Sequence, residues 1–421
     1  MVKEEMSQIT IKQHYVPRFY MKNFSTIVGS GEKEKAFIAF YQFEGDISRK
    51  EIQTKTLCYE EYFYGMDGKI EKDFSVKESL WAVTIRNIVH SSEYNLDEET
   101  LKSIKHFAVY QYSRTLATYK HGKAVMSEIM TTGLHNNAPS IKKEEIRKIV
   151  NNKLDNEICV ADVIKDCDEL VKLIDDLDVS IIKYNTENKL ITSDMPVVRI
   201  NPFCPRNTGM ANVGIIIFFP ISPETLVIIY DGKVYKDLRN FVISNDEQDV
   251  INLNKYQYLS AEERILSKHL DEIKLYIEDE ELIAQKNKIF SLKKAESSFD
   301  GVGTFFAAKS RIILYSYKLS FGKLPAYLKK IPIDCRDAPN RQYSFEERIR
   351  LLVSVYKLPD QIKDNPYLEN VNIQRRKDGY SKMQKFMDDY WNLEIIDRTI
   401  TPELMMKLKT VQMNFMPLNN N

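Results

Sequence analysis

Between residues 179 and 232 the chain carries four apolar runs of strand length in quick succession: VSIIKY, KLITSD, VGIIIFFPI and TLVIIYDG. Runs rich in Ile, Val and Phe, broken by Gly, Pro and Asn, read as strands with turns between them. They predict a central, mostly antiparallel sheet. Earlier, AFIAFYQF and YFYGMDGKI read as strands with a turn, and helical periodicity covers about 75–91 and 97–130. TTGLHNNAPS reads as a loop, with helices resuming near 141–154 and 160–177. After the block come a helix at about 246–267 and a strand-like IKLYIED, and tail helices are expected near 345–356, 380–391 and 402–413. The expected fold is α+β: N-terminal helices, a central mostly antiparallel sheet and a C-terminal mainly helical region. Residues 1–300 form a mixed core domain and 301–421 a basic, mainly helical region.

Composition enters as a set of exclusions. A 43% hydrophobic content with 20 Phe and 24 Tyr supports a sizeable core, not a disordered chain. No apolar run approaches the roughly 20 residues that span a bilayer, so no membrane partner is expected. The start, MVKEEMSQIT, lacks a signal peptide's apolar stretch. Five cysteines (58, 159, 167, 204 and 335) form no CxxC pair and leave one over, against a disulfide frame or zinc site. A cytoplasmic protein without metal or cofactor is expected, and nothing sets its oligomeric state. Net charge is zero, yet residues from 301 onward hold 20 Lys and Arg against 13 Asp and Glu. That surplus hints at RNA or another polyanion as partner of the tail; a solvated surface is the commoner explanation.

One short segment concentrates unusual chemistry. In QHYVPRFYMKNF, Pro17 suits the first position of a short helix and pushes Val16 toward extended geometry. His14 then lies in the turn before the helix, beside free backbone N–H groups and Arg18. Such surroundings suit a phosphate or carboxylate, and they disfavour a protonated His14 unless Asp194 lies close. Phe19, Tyr20 and Phe24 are expected anchors, and Tyr15 a cavity-lining residue.

Three other elements turn polar residues toward apolar faces. Between Lys105 and Lys120 the only fixed charge is Arg114, on a stripe with Phe107, Tyr110 and Ala117, so it should be buried and paired. Glu78 shares the stripe of Phe74, Trp81, Ala82 and Ile85, although SVKE at 75–78 also reads as a capping box. Asp194, after Ser193, ends an apolar strand and fits either an ordinary turn or a functional strand end. Asn254 and Gln257 lie with Val250, Ala261 and Ile265 and need hydrogen-bonding neighbours. Together these predict one shared polar cavity faced by His14, Arg114, Asp194 and Asn254.

QHYVPRFYMKNF, QYSRTLATY, LITSDMPVV and VINLNKYQYLSAEERILS resemble, in this order, the segments of an uncharacterised bacterial family, the domain of unknown function numbered forty-two thirty-eight. The resemblance spans about residues 11 to 270 and leaves the tail outside. The family typically has Leu where Met21 stands and Asn where Met195 stands, so this chain lacks a side-chain amide in its 193–196 turn. It implies no established activity.

Two functions of different class are compatible with these residues. One is a metal-independent ribonuclease or RNA-targeting toxin, of the kind used in phage defence. RTLATYKH places Arg114 and His121 seven apart, on one face of one helix, which is similar to the Arg-x4-6-His motif of HEPN ribonucleases. That likeness implies an arginine holding phosphate and a histidine acting as acid or base. His14 is an alternative proton-transfer group, with Arg18 and Arg114 as clamps and Asp194 orienting the ring. The other function is a non-catalytic module that senses a small anion or a partner.

Overall fold

The structure is a computed structural model that describes residues 10–91, 96–137, 139–157, 160, 164, 167–205, 207–290, 295–299, 303–307, 316–324, 326–329 and 341. The chain divides into two compact units, residues 1–210 with 214–328 and residues 211–213 with 329–421. The tail helices expected near 345–356, 380–391 and 402–413 lie outside the described residues.

In the first unit, β1 (Lys12–His14) runs through Pro17 into the short helix α1 (Arg18–Lys22). Strands β2 (Thr26–Val28), β3 (Lys35–Gln42), β4 (Ile47–Gln53) and β5 (Tyr59–Glu61) follow. A helical stretch comprises α2 (Lys69–His90), α3 (Glu98–Ser113), α4 (Leu116–Asn137), α5 (Lys143–Glu157) and α6 (Cys167–Lys172). Strands β6 (Asp178–Tyr184), β7 (Thr192–Ser193), β8 (Val198–Ile200), β9 (Ile216–Ser222), β10 (Thr225–Tyr230) and β11 (Phe241–Ser244) then precede α7 (Glu247–Ser260) and β12 (Arg264–Ser267). Helices α8 (Asp271–Ile277) and α9 (Glu280–Phe290) lead to a hairpin, β13 (Ala295–Phe299) and β14 (Gly303–Ala307).

The fold is α+β, with the expected sheet divided in two. One sheet has the order β11-β6-β10-β9-β8 and is antiparallel except where β11 runs parallel to β6. The other has the order β2-β3-β12-β7, with β4 also paired to β3. β7 comes from KLITSD, so that run leaves its neighbours and joins the N-terminal strands. Every residue of β9 and β10 is buried, as continuous apolar runs require.

Several boundaries correct the sequence reading. The expected 97–130 helix is two helices, because Thr115 and Thr118 turn their hydroxyls onto the Tyr112 carbonyl (3.1 and 2.7 Å) and Thr115 Oγ1 accepts the Thr118 N–H. This hydroxyl capping starts α4 afresh. α4 also absorbs most of the expected loop at 131–140. α2 begins at Lys69, so SVKE lies inside it and Glu78 caps nothing. IKLYIED is helical, burying Ile273 and Tyr276 three residues apart. The expected 246–267 helix stops at Ser260 and the chain continues as β12. Of the helix expected at 160–177, the described residues Val160, Ile164 and Cys167–Lys172 are helical, with turn following Lys172.

α1 is a wedge between the layers. Its Tyr20 hydroxyl donates to the Pro220 carbonyl (2.5 Å) and meets Thr192 Oγ1 (2.8 Å), while Asn23 Nδ2 donates to the Ile221 carbonyl. Tyr20, Phe24, Phe107, Trp81 and Phe219 belong to one buried core. Phe19 also meets Phe107. The opening segment is therefore bolted to both sheets.

Candidate functional site

Arg114 stands at the end of α3 and has no exposed surface. Its Nη2 donates to Glu78 Oε1 (2.6 Å) and to the His14 carbonyl (2.9 Å), and its Nε to the Tyr15 carbonyl (3.3 Å). Gln111 Nε2, one turn earlier, also donates to the Tyr15 carbonyl, and the Tyr64 hydroxyl donates to that of His14. The guanidinium lies 4.4 Å from the centre of the Phe74 ring. Arg114 is thus the buried, carboxylate-paired arginine that its stripe predicts. It grips the backbone that delivers His14 to the helix start.

The His14 ring points elsewhere. It is half-buried, tilted against Tyr59 at 5.6 Å, and pairs across β5 with that residue. Its Nε2 is buried with no hydrogen-bond partner, and so is Arg114 Nη1. Burial, reinforced by the nearby Arg18 charge, lowers the His14 pKa from 6.5 to about 4. The electropositive setting expected for it is thus the smaller cause, behind burial. Because the folded state binds the proton less well than the unfolded chain, the His14 contribution to stability is full above pH 6.5 and lost as pH falls toward 4. A histidine titration by NMR should place His14 near pH 4 and find the same midpoint in Asp194→Asn; a shifted midpoint would restore the orienting role for Asp194.

Asp194 does not meet His14, which corrects the expected arrangement. Its Oδ1 accepts the Glu262 N–H (2.8 Å) and its Oδ2 those of Glu263 (2.6 Å) and Arg264 (3.1 Å). Ser193 donates to Gln257 Oε1 (2.9 Å), and Gln257 Nε2 donates to the Pro196 carbonyl. Asn254 takes the Ile191 N–H and donates to the Lys189 carbonyl and the Tyr276 hydroxyl. Each amide is satisfied by the 189–196 segment, so these residues form a polar seam and not a shared cavity. Tyr15 joins its halves: its carbonyl serves α3, and its hydroxyl accepts from Arg264 Nη1 (3.2 Å). His121 lies in α4, beyond the break after Arg114, so the pair does not share one continuous helix. Arg18 is exposed beside His14.

A site that the sequence reading missed opens beside the seam. Tyr112, Met195, Val197, Val198, Arg199, Thr208 and Ser260 line a half-open pocket. The Arg199 guanidinium stacks on the Tyr112 ring (4.1 Å) and donates from Nη2 to the Tyr112 hydroxyl (2.5 Å). Among the described residues no carboxylate lies within ion-pair distance of Arg199, which leaves its Nη1 and Nε donors and the Thr208 hydroxyl for a ligand. The signal was a lone arginine inside the apolar strand PVVRI. Among the described residues no three His, Cys, Asp or Glu side chains converge on a metal-sized site.

A family model described as protein of unknown function (DUF4238) matches residues 12–271. The chain belongs to this family. The DUF4238 match begins at the first residue of β1 and ends at the first residue of α8, so it contains the pocket and the seam apart from Tyr276. The chain matches no curated protein and no solved structure. Within the matched range, Met21 is fully buried in the core and Met195 lines the Arg199 pocket.

Proposed function

We propose that this DUF4238 protein is a non-catalytic binding module for a small anion, held in the pocket beside β8. The observation that carries the proposal is Arg199, a half-buried guanidinium stacked on Tyr112 with no carboxylate to neutralise it among the described residues. A half-desolvated cation with free donors and a hydroxyl beside it is complementary to a carboxylate or phosphate. Met195, Val197 and Val198 supply an apolar wall beside these donors.

The ribonuclease reading draws less support. It asks Arg114 to present its donors to a phosphate, but Glu78 and two backbone carbonyls already hold Nη2 and Nε. It also asks His121 to act on the same helix face, and the helix ends between them. In the proposed reading the module works in the cytoplasm; RNA contact by the basic tail rests on residues outside those described. Among the described residues no helix is long and apolar enough to cross a membrane.

Isothermal titration with inorganic phosphate, acetate and isobutyrate tests the reading. At a hundredfold excess over Kd a bound ligand should stabilise the fold by about 2.7 kcal/mol, and Arg199→Met should abolish this while leaving the ligand-free melting temperature nearly unchanged. Cleavage of single-stranded RNA that disappears in His14→Ala or His121→Ala would overturn it in favour of the nuclease.

A further inference from the structure

α2 is apolar on two opposite sides. Phe74, Trp81, Ile85 and Ile88 are buried in the core. Half a turn away, Val76, Leu80 and Val83 recur at i, i+4 and i+7 and are 63%, 65% and 53% exposed. A surface helix needs one apolar stripe to join its core; a second one, in water, is the pattern of a helix that receives another. The spacing is that of a coiled-coil seam, with Val76 and Val83 at d positions and Leu80 at the a position between them.

The flanking positions decide what fits. In that register Lys72, Ser79 and Arg86 occupy g positions, and Lys77 and Thr84 occupy e positions. Lys72 and Arg86 are exposed, and neither has a carboxylate within ion-pair distance among the described residues. Asp73 is already engaged by Lys77 at 3.1 Å. The rim is therefore cationic. An antiparallel pairing of two copies through Leu80 sets g against g, bringing Lys72 of one copy against Arg86 of the other. A parallel pairing sets g against e, bringing Lys72 against Lys77. Both self-pairings oppose like charges, at a cost in stability. A lipid surface would call for the large apolar or aromatic residues of interfacial helices, whereas two of the three exposed residues are valines.

We propose that this face of α2 docks an amphipathic helix of a different protein, one with apolar a and d positions and acidic e and g positions. This does not depend on the anion pocket, which lies on other elements.

The probe is a synthetic three-heptad helical peptide with Leu at a and d and Glu at e and g, compared by fluorescence anisotropy with a twin carrying Lys at e and g. The full chain should bind the Glu peptide at least tenfold more tightly than the Lys peptide. Leu80→Ser combined with Val83→Ser should lose that binding at least tenfold, with circular dichroism unchanged because both side chains face water. Lys72→Glu combined with Arg86→Glu should transfer the preference to the Lys peptide. Equal binding of the two peptides, or no binding of the Glu peptide, overturns the proposal. So does sedimentation showing self-association that Leu80→Ser abolishes, or binding to phosphatidylglycerol vesicles that the same change abolishes.

Discussion

Arg114→Met is expected to destabilise the protein by about 3 kcal/mol in chemical denaturation, the lower end of what breaking a buried ion pair costs. The guanidinium has no exposed surface and reaches Glu78 at 2.6 Å and the His14 carbonyl at 2.9 Å. The cost stays at the lower end for two reasons. Glu78 is 27% exposed and regains water when its partner goes, and the two carbonyls keep the Tyr64 hydroxyl and Gln111 as donors. By the same reasoning Glu78→Gln should cost only about 1 kcal/mol, because a partly exposed pair is screened and the amide still accepts a hydrogen bond. The asymmetry is the informative result. Equal losses would mean that the ion pair, not the grip on the 14–15 backbone, carries the stability. An Arg114→Met protein that melts like the wild type would mean that the arginine serves a ligand.

Arg114 was legible because helix periodicity converts a sequence position into a face, and a lone charge on an apolar face must be buried and paired. The same rule located Asn254 and Gln257, both buried as expected. It failed at their partners. Periodicity says that an amide points inward, but not that the 189–196 segment arrives to satisfy it, since that contact spans more than 60 residues of chain. The break after Arg114 was hidden for a different reason. RTLATY has helical spacing on both sides, and only the capping hydroxyls of Thr115 and Thr118 end one helix and start the next. Glu78 shows the reverse difficulty, in which a local cap motif competed with a stripe that was correct. Arg199 and the exposed stripe of α2 went unread because their meaning lies in what is absent around them, and a sequence does not display the missing partner.

Asp194 is the residue whose loss should be felt most locally. Its carboxylate accepts three consecutive backbone N–H groups, from Glu262, Glu263 and Arg264, while its own N–H donates to the Arg264 carbonyl (3.1 Å). That capture ends α7 and redirects the chain into β12, which pairs with both β3 and β7. Asp194→Ala would leave three donors without their acceptor at a site where Asp194 itself is only 2% exposed. Hydrogen bonds to a charged acceptor are worth more than neutral ones, and water can reach part of the gap, so the expected loss is about 4 kcal/mol in total. Asp194→Asn should cost about half of this, because one amide oxygen still accepts while the amide nitrogen turns toward a backbone donor. Hydrogen exchange separates the mechanism from a general loss of stability. The amides of 262–264 should lose protection in Asp194→Asn well before those of β9 and β10, which sit in the other sheet. Uniform loss across both sheets would mean that Asp194 acts through the whole core, and unchanged exchange at 262–264 would remove it as the anchor of this turn. The Arg264 side chain extends the effect toward the opening segment: its Nη1 donates to the Tyr15 hydroxyl and its Nε to Gln42 Oε1 (3.0 Å). Releasing the 262–264 backbone should therefore loosen Tyr15 at its hydroxyl end, leaving its carbonyl end to α3.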